Sequence, residues 1–445
     1  MKEGLLMLYP ASSTPGLLEY WEVSTSTTGA DTVCFQYNHL LYQLRAVYRS
    51  TPVLSTTKAA KAGEGRALPP LKLVGFTPCL CKRTTHALAA PQRFFAVAFD
   101  DGLGHFLQCP SKANRGGIRM KAVVYADYGS PDVLQLAEVD KPTPQDNQVL
   151  VKVYAASANP LDWHRMRGAP FLARLEEGLR KPKNPRLGAD LAGRVEAVGS
   201  SVTQFQPGDE VFGCVTGAFA EYVCGRETAF ALKPANLSFE EAASVPVVAF
   251  TALQGLRDTG HIQPGQTVLV NGASGGVGTC AVQLAKSFGA EVAGVCSTRN
   301  LDLVRSLGAD HVIDYTREDF TRNGQRYDLI YDAVGNRSVA DYKRALKPQG
   351  RCVIAGFTTL PRLFEHIVVG AWMSKTGNRT IGLMGVAKPN QKDLLFVKAL
   401  LKAGKVVPVI DRRYPLRDTA EAIRYLEAGH AHGKVIITVE QNNKT

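Results

Sequence analysis

Val268-Leu-Val-Asn-Gly272-Ala-Ser-Gly275-Gly276-Val277-Gly278 constrains this chain more than any other stretch. An apolar strand pattern runs straight into glycines, and an apolar helical pattern over 276–288 comes directly after them. Glycines at such a strand–helix junction permit a tight turn. They also let the backbone approach a ligand and let the helix pack close to the strand. The helix start presents free N–H groups and a partial positive charge, which suit a pyrophosphate. Gly272, Gly275, Gly276, Val277 and Gly278 are therefore the candidate dinucleotide-holding residues. The spacing Gly272-x-x-Gly275-x-x-Gly278 departs from the plain G-x-G-x-x-G order, but the physical demands are the same.

The chain downstream supports that reading. Strand patterns at 291–296, 311–313, 327–332 and 350–355 alternate with helical patterns at 301–307 and 338–346. Buried, Val/Ile-rich strands in alternation with helices predict a doubly wound parallel sheet of the Rossmann type over about 246–378. Upstream, over 120–245, strand patterns at 120–125, 133–139, 148–156, 191–198 and 209–215 are short and divided by turns such as Phe205-Gln-Pro-Gly-Asp209. Close spacing of this kind predicts a small barrel-like β domain. Two amphipathic helices, 391–403 and 419–428, and a strand at 434–439 make up a C-terminal segment, 379–445. The stretches 167–185 and 357–375 read as loops bordering a substrate pocket.

Residues 1–119 show no sustained period, and Ser/Thr clusters and scattered aromatics fill them. They are expected to be a largely disordered extension, or to precede a true start at Met120. Glu3, Glu19, Glu22 and Asp31 against Lys2 in the first forty residues argue against an organellar leader. The net charge of +12 divides into +6 over 1–119 and +6 over 120–445, with no run of five like charges, so no nucleic-acid arm is visible. No apolar run approaches the length needed to span a bilayer. Nine cysteines are too few, and odd in number, for a disulfide scaffold. That usage points to a reducing compartment, and a cytoplasmic location is the expectation.

The tip of the second strand of the parallel sheet bears on the cofactor. It reads Gly294-Val-Cys-Ser297-Thr298-Arg299-Asn300, with no acid to hold a ribose 2′-hydroxyl. Arg299, helped by the hydroxyls of Ser297 and Thr298, suits the 2′-phosphate of NADP instead.

These motifs together resemble the medium-chain dehydrogenase/reductase superfamily, in its zinc-free quinone oxidoreductase (zeta-crystallin-like) branch. The likeness covers about 120–439. It rests on Gly265-Gln-x-x-Leu269-x-x-x-Ala273-Ser-Gly-Gly276-x-Gly278-x-x-x-x-Gln283-x-x-Lys286, on Gly188-Ala-Asp190-Leu-Ala-Gly193, on Pro207-Gly-Asp209, on Asn159-Pro-x-Asp162, on Asp332-Ala-Val-Gly335 and on Gly429-His-Ala-His-Gly433-Lys434. It implies a GroES-like catalytic domain of 120–245 plus the returning C-terminal segment, with the NADP domain inserted. It also implies a homodimer.

The resemblance places Asn159 where zinc alcohol dehydrogenases have a ligating Cys, and Ala189 where they have a His. A catalytic zinc needs three such ligands. The resemblance then implies hydride transfer from NADPH to a small-molecule electrophile, a quinone or an α,β-unsaturated carbonyl. Asn159 and Asp162 are the candidate catalytic residues, Asn159 holding the nicotinamide carboxamide or the developing oxyanion. Tyr315 is expected on the adenosine side, with a buried aromatic as its alternative reading. Gly335 and Gly356 are expected to bring backbone close to ribose and nicotinamide. Lys434 either approaches the cofactor or is a surface lysine at a strand end. Two other readings stay open: a cofactor-binding protein with little catalysis that acts as a scaffold or weak RNA binder, and an alcohol dehydrogenase.

Overall fold

The computed structural model describes residues 118–171 and 174–439, together with six short strands nearer the N-terminus. Those six strands belong to a separate unit, 1–116. Gly4–Leu6, Trp21–Ser24, Thr32–Tyr37 and Leu40–Arg45 pair antiparallel in that order, and Phe94–Val97 pairs with His105–Gln108. The sequence reading found no strand there. The rest of the disorder expectation for 1–119 lies largely outside the described residues.

The larger unit, 117–445, holds two sheets that matter for function. Its strands are β1 Arg119–Val124, β2 Gln135–Asp140, β3 Gln148–Ala158, β4 Asp190–Val198, β5 Glu210–Cys214, β6 Tyr222–Arg226 and β7 Phe230–Leu232. They continue with β8 Thr267–Asn271, β9 Glu291–Cys296, β10 His311–Asp314, β11 Tyr327–Asp332, β12 Leu346–Ile354, β13 Thr380–Leu383, β14 Ile410–Pro415 and β15 Lys434–Thr438. The helices used below are α1 Pro160–Arg167, α2 Pro246–Gln254, α3 Gly276–Ser287, α4 Leu360–Thr376 and α5 Gln391–Lys402.

The first sheet runs β7-β5-β4-β3-β15-β14. β3 is the keystone. One edge pairs antiparallel with β4. The other edge is shared: Gln148–Lys152 pair with β6, and Ala155–Ala158 pair with β15. Val149, Val151, Val153, Ala155 and Ala156 are fully buried along it, because both faces are covered. β1 and β2 form a hairpin tied to the sheet through bridges Ala122 to Ala220 and Val124 to Arg186.

The second sheet is parallel throughout and runs β10-β9-β8-β11-β12-β13. Chain order reverses on either side of β8, so the carboxyl ends of β8 and β11 open a crevice suited to a ligand. This sheet takes in one strand more than the expected boundary at 378, since β13 lies beyond it. The stretch read as a pocket loop at 357–375 is mostly the helix α4. Its apolar residues lie on two faces, and that weakens the periodicity a sequence reading relies on. α5 packs against both α2 and β7, and β14 and β15 complete the first sheet.

Candidate active site

The glycine loop folds as its composition demands. Gly272 has φ +79°, and the N–H of Gly275 donates to its carbonyl at 3.0 Å. At Gly278 a Cβ would sit 2.0 Å from the Gly272 carbonyl oxygen, so glycine alone lets α3 come this close to β8. Gly275 is the N-cap of α3 and no side chain caps the helix. A Cβ on Gly275 would meet only the Gly272 carbonyl, at 3.5 Å, so this position faces open space. Gly276, Val277 and Gly278 form the first turn, and their N–H groups, which have no acceptor inside the helix, point toward that space. The cradle suits a pyrophosphate on the observations of geometry and charge alone.

At the β9 tip Ser297 and Arg299 stand on either side of Thr298. The guanidinium of Arg299 is exposed and reaches only the His430 carbonyl, at 3.5 Å. Thr298 donates to Asp314 at 2.5 Å, and the Asp314 carboxylate also accepts from the Thr316 hydroxyl and N–H. Hydrogen bonds from Thr298 and Thr316, with Arg317 nearby, hold that carboxyl below its usual range. Tyr315 is 57% exposed, which corrects the alternative reading of a buried aromatic. Asn300, buried, donates to the hydroxyls of Ser274 and Ser297 and so ties the second strand's tip to the glycine loop.

Across the crevice, Asp332 at the end of β11 is fully buried and fully used. It accepts from the N–H groups of Val334 and Gly335, both at 2.7 Å, from Asn271 at 3.0 Å and from the Tyr342 hydroxyl at 2.5 Å. Gly335 has φ +69°, and a Cβ there would meet the Gly356 carbonyl at 2.2 Å. A Cβ on Gly356 would meet the Ala333 carbonyl at 2.4 Å. The two turns therefore touch through backbone, which is why both positions are glycine.

The catalytic-domain half is built around four buried side chains from distant parts of the chain. Asn159 follows β3 and is the N-cap residue of α1. Its Nδ2 donates to Asp190 Oδ2 at 2.9 Å and, at 3.3 Å, to the Ser157 carbonyl. Its Oδ1 accepts from Lys434 Nζ at 2.5 Å. An acceptor facing the ammonium and a donor facing the carboxylate fix the amide orientation. Lys434 Nζ further donates to Asp190 Oδ2 and the Ala158 carbonyl, each at 3.2 Å. Asp190 also accepts from the Ser157 hydroxyl at 2.9 Å and from the Val247 N–H of α2 at 2.8 Å.

This geometry corrects two expectations. Lys434 is 4% exposed, so the reading as a surface lysine is wrong. Both N–H bonds of Asn159 are spent inside the protein, so donation to an oxyanion is not open to it in this arrangement. What it keeps is one Oδ1 lone pair.

Asp162, also buried, closes the α1 start. It accepts the Asn159 N–H at 2.8 Å and the Gly188 N–H at 3.1 Å. Burial pushes its carboxyl up to about 6, and the nearby Asp190 charge adds to the rise. The two backbone donors and Lys434 pull the other way. Burial likewise raises the thiol of Cys214, opposite Asp190 in the β4–β5 register, with Asp190 and Asp162 contributing. Trp163 stacks on His164 with ring centroids 3.7 Å apart, and burial lowers the His164 pKa. Among the described residues no three His, Cys, Asp or Glu side chains converge as a metal site.

The two halves also meet at the glycine loop. Gly433 N–H donates to the Ser274 carbonyl at 2.9 Å, and Gly275 and Gly433 form a parallel bridge. The stem of Lys434 then lies against the glycine loop: a Cβ on Gly276 would sit 3.0 Å from its Cδ. The sequence reading missed Asp190, Asn300 and Asp332 as site residues. Asp190 and Asp332 were findable as acids that open and close apolar strand patterns.

Comparison with known proteins agrees with this layout. A family model described as alcohol dehydrogenase GroES-like domain matches residues 145–235, and one described as zinc-binding dehydrogenase matches 307–437. A 2-methylene-furan-3-one reductase of Solanum lycopersicum is 39% identical over 333 residues, which are 72% of this chain and 79% of that protein. An NADPH-dependent alkenal/one oxidoreductase, chloroplastic, of Arabidopsis thaliana is 37% identical over the same shares. The structure of the quinone oxidoreductase from Coxiella burnetii superposes with a TM-score of 0.64 at 32% identity, covering 73% of this chain and all of that one.

Proposed function

We propose, from the premise that the chain belongs to the medium-chain dehydrogenase/reductase family, in its quinone oxidoreductase branch, that it transfers hydride from NADPH to a quinone or an α,β-unsaturated carbonyl. The observation that carries this reading is the bridge between Gly275 and Gly433, which seats Lys434, itself bonded to Asn159 and Asp190, against an uncapped helix start. The names of the tomato and Arabidopsis relatives, the latter naming NADPH, support it.

In this proposal the backbone of Gly272, Gly275, Gly276, Val277 and Gly278 holds the pyrophosphate, and Ser297 and Arg299 take the 2′-phosphate. Tyr315 flanks the adenosine, while the turns at Gly335 and Gly356 bring backbone to the ribose and nicotinamide. Bound NADPH supplies the hydride. The remaining Oδ1 lone pair of Asn159 accepts from the carboxamide, and Lys434 and Asp190 keep that amide from turning. Asp162 positions Asn159 through its backbone N–H. Such fixed hydrogen bonds accelerate hydride transfer by orientation, with no reorganisation at the moment of reaction.

A homodimer belongs to the same proposal, to be read from the solution mass. So does a cytoplasmic location. Cys214, Cys224, Cys280, Cys296 and Cys352 are free, and no described helix is long and apolar enough to cross a membrane. Relatives in spinach and mouse carry chloroplastic and mitochondrial names, so imaging the tagged full chain is the test of location.

The activity test monitors loss of reduced-nicotinamide absorbance by the full chain, with NADPH and NADH in parallel, against one enone and one quinone. Turnover with NADPH well above NADH is the expected result. No turnover on either acceptor would overturn the reading.

A further inference from the structure

The Asp332 carboxylate divides its two oxygens between two sets of donors. Oδ1 accepts both N–H groups of the Val334–Gly335 turn. Oδ2 accepts from Asn271 at 3.0 Å and from the Tyr342 hydroxyl at 2.5 Å. All four donors are neutral, and the carboxylate is fully buried. A buried charge held by neutral donors alone depends on each of them. The turn that Oδ1 fixes has little slack, because Gly335 packs on the Gly356 backbone and its carbonyl accepts from the Thr358 hydroxyl at 3.4 Å.

Three of the donors belong to the crevice itself, at the end of β8 and in the turn after β11. The fourth comes from the helix Val339–Ala345, which is anchored elsewhere. Ser338 and Asp341 form a capping box at its start. α4 grips the same helix: Glu365 accepts the Val339 N–H at 3.0 Å, and His366 Nε2 lies 2.9 Å from the Arg337 carbonyl. The buried His366 ring lies 5.7 Å from the buried Tyr342 ring. Burial and the Asp332 charge push the Tyr342 hydroxyl far above its usual range, so it keeps its proton and stays a donor. Without that hydroxyl, Oδ2 is left with Asn271 alone, and Asn271 shares its amide with Asn336 at 3.2 Å. The carboxylate can then rotate, and rotation takes Oδ1 off the turn.

We propose that Tyr342 is a positioning residue for the nicotinamide end of the cofactor, acting through Asp332 on the Val334–Gly335 turn. The proposal rests on the reading that this turn brings backbone to the ribose and nicotinamide of NADPH. Tyr342 acts on the carboxylate rather than on the ligand. It keeps the turn in its binding form before the cofactor arrives. Where only a fraction of molecules holds that form, apparent affinity falls by the same fraction.

The test compares the full chain with its Tyr342→Phe variant. NADPH binding is read by fluorescence titration, and binding of adenosine 2′,5′-bisphosphate by calorimetry. The bisphosphate carries the adenosine end of NADPH and lacks the nicotinamide and its ribose. The variant should bind NADPH about tenfold more weakly and the bisphosphate like the parent. KM for NADPH should rise by the same factor, with kcat at saturating NADPH retained. In the cofactor-free variant the amides of Val334 and Gly335 should exchange with solvent faster than in the parent. If Tyr342→Phe does not fold, Asn271→Ala removes the other donor to Oδ2 and should give the same pattern. Equal NADPH affinity in variant and parent would overturn the proposal, as would an equal loss for both ligands, which a general disturbance of the fold would produce. A parent that binds no NADPH would overturn the hydride-transfer reading itself, so the two failures are told apart.

Discussion

Gly275→Ala and Gly278→Ala add the same methyl group to the same loop and should fail in different ways. At Gly278 the new Cβ would lie 2.0 Å from the Gly272 carbonyl oxygen, 2.7 Å from its carbon and 2.8 Å from the Ala273 Cα. All three are backbone atoms, so no side chain can yield, and α3 must withdraw from β8 by roughly 1 Å to restore ordinary contact. Overpacking of this kind costs about 3 kcal/mol, a fall of roughly 3 °C in melting temperature for a chain of this size. At Gly275 the Cβ meets one atom at 3.5 Å, and the residue's φ of −80° suits any side chain. Stability should stay within about 1 kcal/mol of the parent, since the cap loss and the reduced freedom of the unfolded chain oppose each other.

The methyl at 275 instead fills the space in front of the first turn of α3. Each charge-assisted hydrogen bond it displaces is worth about 1.5–3 kcal/mol, so NADPH binding should weaken by about ten- to a hundredfold. Thermal unfolding without cofactor and titration of NADPH fluorescence measure the two effects. A Gly275→Ala protein that binds NADPH like the parent would refute the placement of the pyrophosphate. A Gly278→Ala protein with unchanged melting would refute the packing argument.

Arg299→Ala should raise KM for NADPH about tenfold or more while leaving NADH unchanged, as steady-state kinetics with both cofactors will read. Lys434→Met removes the counter-charge of a buried carboxylate. It should cost about 3–5 kcal/mol in urea unfolding, with turnover lost along with the Asn159 orientation. Asp162 titrates near 6 when folded, above the ordinary value near 3.8. The folded chain therefore holds this proton more tightly than the unfolded chain. The resulting stability is complete below about pH 4 and is lost as pH rises through 6, an effect of about 3 kcal/mol. Asp162→Asn cannot titrate and leaves one backbone donor poorly paired, so it should be the less stable protein at pH 4. Its deficit should shrink by pH 8, as urea midpoints at the two values will show.

The glycine loop, the alternation after it and the tip of β9 were legible because each is local: a handful of consecutive residues must satisfy one turn. The Asn159–Asp190–Lys434 cluster was legible only in part. Asn159 and Lys434 are 275 residues apart, and only the antiparallel pairing of β15 with the end of β3 makes them neighbours. Lys434 sits among Gly433, Val435 and Ile436, where a strand-end surface lysine is an ordinary expectation. Asp190 was visible within Gly188-Ala-Asp190-Leu-Ala, but nothing local says that its carboxylate faces an ammonium. The reading of 357–375 as a loop failed because Phe364, Val368 and Trp372 are apolar yet exposed, the reverse of what periodicity assumes.

The shared edge of β3 also sets an order of events during synthesis. Gln148–Lys152 find β6 within about 75 residues of chain, but Ala155–Ala158 wait for β15. At ordinary elongation rates of 5–20 residues per second, that wait is roughly 14–55 s. Through that interval the stretch leading into Asn159 has an open edge, and Asp190 has no lysine beside it. A nascent chain carrying a complete glycine loop and parallel sheet is still without a site. On leaving the ribosome, β15 closes the first sheet and assembles the reactive cluster in the same act.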